Sequence, residues 1–246
     1  METHAHHLHK APGQGLKHYF FEFFMLFLAV FCGLLAENWR EHTVDKKREL
    51  EYMRSQLEDL KTDTLEIEKQ IILGTKVSMK ADSLVNLLNS ENPEAHVFDI
   101  YRLNGTRAVM VQLEDRTSSQ LKNSGGMLLI RNNEVADALR KYWYMSKVLE
   151  DIAARIEELS SQSIPIWTQI FSNKYFINID EKNPIAGINI SPKARFVNAE
   201  PKLISQYSNL RYSKNQILKN YINFMKMEKF KAIELIKLIK ENYHLE

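Results

Sequence analysis

The side chains able to do chemistry are few and scattered in this sequence. His4, His6, His7 and His9 crowd the segment METHAHHLHK, and clustered imidazoles bind zinc, nickel or copper. The segment reads instead as a flexible, weakly basic tail, and no metal site is expected. His18, His42, His96 and His244 stand alone. A single cysteine, Cys32, excludes an intramolecular disulfide and any zinc site built on cysteine pairs. GxGxxG, P-loop, HExxH, CxxC and GxSxG patterns are all absent. With no nucleophile set beside a base, the chain is expected to be non-enzymatic and to need no cofactor.

The densest constellation is QLKNSGGMLLIRNN, from Gln120 to Asn133. Two adjacent glycines between helices can turn backbone N–H groups into an anion-accepting nest, with Lys122 and Arg131 as counter-charges. The plainer reading is a structural corner. Ser124, Gly125 and Gly126 make the turn, glycine supplying positive φ. Leu128, Leu129 and Ile130 dock into the core, and Asn132 or Asn133 caps the next helix. Tyr142-Trp143-Tyr144 places aromatics around one helical turn, leaving Trp143 or Tyr144 for a partner if Tyr142 faces inward.

These residues need long helices to hold them. Glycine and proline number only 8 and 6 in 246 residues, about half their average share. Such sparse punctuation argues against sandwiches, barrels and propellers, and 44% apolar content argues against disorder. Lys and Arg total 33 against 31 Asp and Glu, so no basic field marks a nucleic-acid binder. The mean hydropathy of −0.36 suggests a soluble protein. It hides a membrane segment.

From Tyr19 to Ala36 the chain reads YFFEFFMLFLAVFCGLLA, apolar on every face with one charge, Glu22. At 1.5 Å per residue this is about 27 Å of helix, enough for a hydrocarbon core of about 30 Å with snorkelling ends. Tyr19 and Trp39 bracket it as interfacial aromatics. Cleavage is not expected: Leu34 and Phe31 stand where a signal peptide or lipoprotein site needs small residues. Glu22 sits about one turn inside, either at the headgroups or facing a partner helix. Gly33 would allow close helix approach. The Lys/Arg count, with Lys10 and Lys17 before the span and Arg40, Lys46, Lys47, Arg48 and Arg54 after it, favours a cytoplasmic C-terminal domain.

Beyond Trp39, positions 50, 53, 57, 60, 64, 67, 71, 74, 78, 81, 85 and 88 form a heptad seam that thins at Gly74 and Ser78. Self-association and an intramolecular bundle share this pattern; the bundle is preferred. Short helices are expected around His96–Leu103 and Arg116–Lys122, with a turn at Asn104-Gly105. A second long helix, seamed by Val135, Ala138, Tyr142, Met145, Leu149, Ile152, Ile156 and Leu159, is expected to end at Pro165. Residues 165–201 read as an irregular insertion in which YFINI and AGINI form either a small hairpin or merely extended loops. A third helix starts near Pro201, with Leu203, Tyr207, Leu210, Ile217, Tyr221 and Phe224 on one face. The expected organisation is a tail (1–18), a transmembrane helix (19–39) and an all-α antiparallel bundle (40–246).

Three stretches carry a family resemblance. FFEFFMLFLAVFCGLLAENWRE, RELEYMRSQLEDLKTD and QLKNSGGMLLIRNNEVADAL resemble a family of single-pass membrane proteins of Bacteroidota, a domain of unknown function. Glu22 matches its intramembrane acid, Asn38-Trp39 its span exit, and Ser124, Gly125, Leu129, Ile130 and Asn132 its corner. Phe21 stands where the family has glycine. The resemblance covers about residues 17–145. It implies an inner-membrane anchor with a cytoplasmic N-terminus and a periplasmic helical domain, opposite to the Lys/Arg count. The resulting expectation is a non-catalytic accessory or scaffold subunit of a cell-envelope complex. Glu22, Gly33, Asn38 and Trp39 would meet membrane or periplasmic partners, or a second copy of the chain, in the lipid bilayer. The alternative is a periplasmic four-helix-bundle ligand sensor that signals through a partner.

Overall fold

A computed structural model describes residues 16–104, 108–177 and 189–245. Among these the fold is all-α apart from one two-stranded ribbon. The chain divides into a unit of residues 1–51 and a unit of residues 52–246.

The described part of the first unit is the N-terminal portion of helix α1 (Leu16–Leu88). Every residue from His18 to Val44 is exposed. Its aromatics stack along the helix at i, i+4 spacing, Phe20 on Phe24 and Phe27 on Phe31. Among the described residues α1 is the one helix long and apolar enough to cross a membrane. A helix suits that setting because all its backbone bonds close internally.

The second unit is built from the rest of α1, α2 (Val97–Asn104), α3 (Arg116–Asn123), α4 (Asn133–Ile170) and α5 (Pro201–Tyr243). Its core has three apolar clusters. Met53, Leu57 and Leu60 meet Leu121, Leu139, Tyr142, Leu235 and Ile239. Ile67 and Val77 meet Val109, Val111, Leu149, Ile156, Leu218 and Tyr221. Leu84 and Leu88 meet Ile100, Tyr101, Ile170, Phe171 and Tyr207. The order of these residues makes α1 and α4 parallel and α5 antiparallel to both. The connector from α1 to α4, carrying α2 and α3, returns along the bundle as its second, broken element. Each fully buried Leu or Ile contributes about 1.5–3 kcal/mol.

An extended connector has N–H groups that no helix or sheet satisfies, and buried N–H groups need acceptors. Facing helices supply them. Val111 N donates to Tyr221 Oη at 3.0 Å, Glu114 N to Asp63 Oδ1 at 2.8 Å, and Thr117 N to Asp59 Oδ2 at 3.2 Å. Asp59 thus caps α3 from another helix, in place of the adjacent Asp115, whose side chain makes no cap bond.

The heptad seam of α1 is buried or half-buried throughout residues 53–88. Gly74 does not thin it. A Cβ there would lie 3.1 Å from Ile222 Cγ1 and 3.2 Å from Val109 Cγ1, so the missing side chain is what lets α5 and the connector close on α1.

Two expectations are corrected. Pro165 does not end α4, which runs on to Ile170. A proline inside a helix costs about 3 kcal/mol, but the turn beyond it buries Ile170 and packs Ile166 and Trp167 against the third cluster. The irregular insertion therefore begins at Phe171. On α5 Leu203, Tyr207 and Tyr221 are buried as expected, while Ile217 and Phe224 are only half-buried against the second cluster and Leu218 and Met225 are buried beside them. Polar Ser208, Arg211, Asn215 and Glu228 are buried there as well.

Polar pairs tie the long helices together. Lys229 meets Glu68 at 2.5 Å, Asn215 and Lys219 both donate to Asp82 Oδ1 at 2.8 and 2.9 Å, and Ser208 donates to Asn89 at 2.8 Å. Between α4 and α5, Ser146 donates to Glu228 and Asn132 to Asn242. In the insertion, β1 (Phe176–Ile177) pairs antiparallel with β2 (Asn189–Ile190), Phe176 opposite Ile190. Of the two forms open to YFINI and AGINI, paired strands or extended loops, the ends of the two segments take the first.

Candidate functional site

The residues expected to meet partners in the membrane lie on the bare part of α1. Glu22 and Asn38 are exposed, and Trp39 is 77% exposed. A Cβ built on Gly33 would meet nothing within 4 Å beyond its chain neighbours and the helix's own backbone. The histidine-rich tail and Gly105 lie outside the described residues. Elsewhere among the described residues, no three His, Cys, Asp or Glu side chains gather as a metal site.

The Ser124–Asn132 corner is structural in most of its parts. Gly125 takes φ of 70°, and Gly126 is buried with Leu121 Cδ2 3.0 Å from the position of a Cβ. Ser124 Oγ donates to Gln120 O at 2.6 Å, and Asn132 Oδ1 caps α4 by accepting from Val135 N at 3.0 Å. Ile130 is buried and Leu129 half-buried, but Leu128 is 90% exposed, contrary to its expected docking. The turn at Gly125 points Leu128 outward. Lys122 Nζ lies over the Trp143 ring, 4.7 Å from its centroid. Of the aromatic triplet, Tyr142 is buried, Trp143 is half-buried and Tyr144 is exposed.

A buried acidic network crosses the first core cluster. Tyr142 Oη donates to Asp63 Oδ2 at 2.6 Å, and one turn along α4 Ser146 Oγ donates to Glu228 Oε1 at 2.9 Å. Burial pushes the Asp63 carboxyl up to about 6, against the lowering effect of bonds from Tyr142 and Glu114 N–H. Burial pushes Glu228 further, to about 8, although the Ser146 bond lowers it. Glu228 is 0% exposed and its Oε2 has no hydrogen-bond partner, so near neutrality it keeps its proton. Asp63, bound to the connector's backbone, holds that segment on α1.

A cavity of about 300 Å³ lies between the connector, α4 and α5. Val77, Val109, Ile156, Trp167 and Leu218 give it an apolar wall. Its polar side includes Asn104, Ser160, Ser163, Tyr207, Arg211 and Lys214, with Glu157 as the one carboxylate among the described lining residues. Tyr207 Oη donates to Asn104 Oδ1. Arg211 is only 7% exposed. Lys214, one turn along α5, is held down at about 8, first by burial and then by the Arg211 charge, with Glu157 acting in the opposite sense.

Sequence reasoning misses this cavity because its parts lie far apart in the chain. Arg211 and Lys214 look like any solvated helix cations when read alone. An i, i+3 cation pair on the same α5 stripe as Tyr207 and Leu218 is the one signal that could have raised it. Compared with protein-family models, curated proteins and solved structures, the chain matches none.

Proposed function

We propose that this protein is a single-pass membrane protein whose helical domain works as a non-catalytic accessory or scaffold subunit in a bacterial cell-envelope complex, its N-terminus cytoplasmic and its domain periplasmic. The observation that carries this reading is the bare stretch of α1. All 18 residues from Tyr19 to Ala36 are exposed, on every face, and a soluble protein rarely leaves so large an apolar surface uncovered. A bilayer covers it, and Glu22, Gly33, Asn38 and Trp39 are where partner helices would touch. The exposed Leu128 and Tyr144 supply apolar contact points on the domain.

Gentle crosslinking followed by purification in mild detergent tests the assembly. A stoichiometric partner, or a defined homo-oligomer, is expected. Glu22→Gln should weaken that assembly while leaving the thermal unfolding of the domain unchanged. Isolation of a monomer from crosslinked membranes would overturn the scaffold reading.

The cavity favours a second reading, a periplasmic bundle sensor that signals through a partner. Ligand pockets are concave, mostly apolar and furnished with a few converging polar groups, and this cavity has that make-up.

A further inference from the structure

We infer that the cavity between the connector, α4 and α5 is a binding site for a small organic anion, a carboxylate on an aliphatic or aromatic body. The inference goes beyond the scaffold role and stands whether or not the domain assembles with partners.

The first argument is charge. Arg211 and Lys214 face the cavity with Glu157 as the one carboxylate in the described lining, an excess of one positive charge in a site walled mainly by apolar groups. Charges in such surroundings interact more strongly than in water, and a ligand carboxylate is the complementary group. Arg211 presents a planar fork suited to two carboxylate oxygens. Lys214 adds a point charge one turn away. Because burial and the Arg211 charge hold the Lys214 ammonium down, an arriving anion relieves the crowding of two cations.

The second argument is shape. About 300 Å³ is at the lower end of small-molecule sites, fitting a body of a benzene ring or a short alkyl chain. Val77, Ile156, Trp167 and Leu218 would pack on that body. Met110 and Ile164, both at least half exposed, stand among the lining residues and give a route from solvent. A phosphate alone would leave the apolar wall uncovered, and a neutral amide would bring no negative charge to a lining that holds two cations and one carboxylate.

The test is calorimetric titration of the full chain in mild detergent with benzoate, phenylacetate and hexanoate, beside benzamide, hexanamide and inorganic phosphate. At least one carboxylate is expected to bind saturably, one per chain, with Kd of about 1 mM or tighter. Its amide and phosphate should bind at least tenfold more weakly. Lys214→Met, at a half-buried position that tolerates an apolar chain, should weaken the carboxylate about tenfold, as loss of a charge-assisted bond does. Arg211→Gln should weaken it at least as much. If that variant unfolds, Ile156→Phe, which fills the cavity from the apolar side, should abolish binding in its place. Absence of saturable carboxylate binding up to about 10 mM overturns the inference. So do amides binding equally well, phosphate binding as tightly, or an unchanged affinity in Lys214→Met.

Discussion

Tyr142 on α4 donates its phenolic hydrogen to Asp63 on α1 at 2.6 Å, inside the core. The other oxygen of the same carboxylate accepts from the backbone of Glu114. One buried acid thus joins two long helices and the segment that returns between them.

Removing the phenol should be costly. Tyr142→Phe leaves Asp63 Oδ2 buried without that donor, and such a loss costs about 1–3 kcal/mol. Asp63→Asn should also destabilise the domain, and the double variant should lose less than the two singles together. Chemical denaturation of the four proteins measures the coupling. Strict additivity would mean that the bond contributes nothing.

Stability should fall as pH rises through neutrality. Glu228 titrates near 8 in the fold against an ordinary 4.5, so between those values the folded domain holds a proton that the unfolded chain has released. Asp63, near 6 against an ordinary 3.8, acts in the same sense over a lower range. Stability contributed by a proton bound in the native state is lost as pH climbs. Lys214, held near 8 in the fold against an ordinary 10.5, reverses the trend above pH 8. Thermal unfolding of the detergent-solubilised chain should therefore move down by several degrees as pH rises from about 4 to 8, the window these two shifts span. Glu228→Gln should flatten most of that slope; an unaltered slope would show that Glu228 is not its source.

The two helical glycines of α1 should behave differently. Gly74→Ala pushes a methyl to 3.1 Å from Ile222 and 3.2 Å from Val109, and overpacking of this kind costs about 1–3 kcal/mol. Gly33→Ala meets nothing within 4 Å and should leave the unfolding of the domain unmoved. Parallel melting curves compare the pair. Equal effects would show that the close approach at Gly74 is not limiting.

Orientation has a direct readout. With Cys32 changed to Ser, single cysteines at exposed Glu91 and Ser161 should react with a membrane-impermeant thiol reagent in cells whose inner membrane is intact. Protection of both until the membrane is opened would put the domain in the cytoplasm, as the Lys/Arg count alone suggests.

The apolar stretch of α1, the α1 seam and the Asn132 cap were readable in the sequence because each is a local pattern: an apolar run, a heptad repeat, an Asn three residues before the N–H it satisfies. The inward face of α5 was not. Arg211, Asn215 and Glu228 fall on a stripe that composition marks as solvated, and their burial depends on partners such as Asp82 and Ser146, 82 to 133 residues away. Pro165 misled for a related reason. Its local cost is visible, whereas the aromatic packing that outweighs it, Trp167 on Phe171 and Phe176, involves a ribbon that sequence spacing only hinted at. The cavity was unreadable because no single segment contains it.

The polar pairs between α1 and α5 have one further consequence. Glu68, Asp82 and Asn89 are spaced by fourteen and seven residues, and their partners Lys229, Asn215 and Ser208 descend by the same strides. A purely apolar heptad seam cannot distinguish the native alignment from one slipped by seven residues, since Leu and Ile meet Leu and Ile either way. Here a slip in either direction would set Glu68 against Ile222 or Ile236 and Lys229 against Lys61 or Thr75. The pairs act as marks on a ruler, so that a bundle docked one heptad out of step is recognised and released by its own mismatched charges.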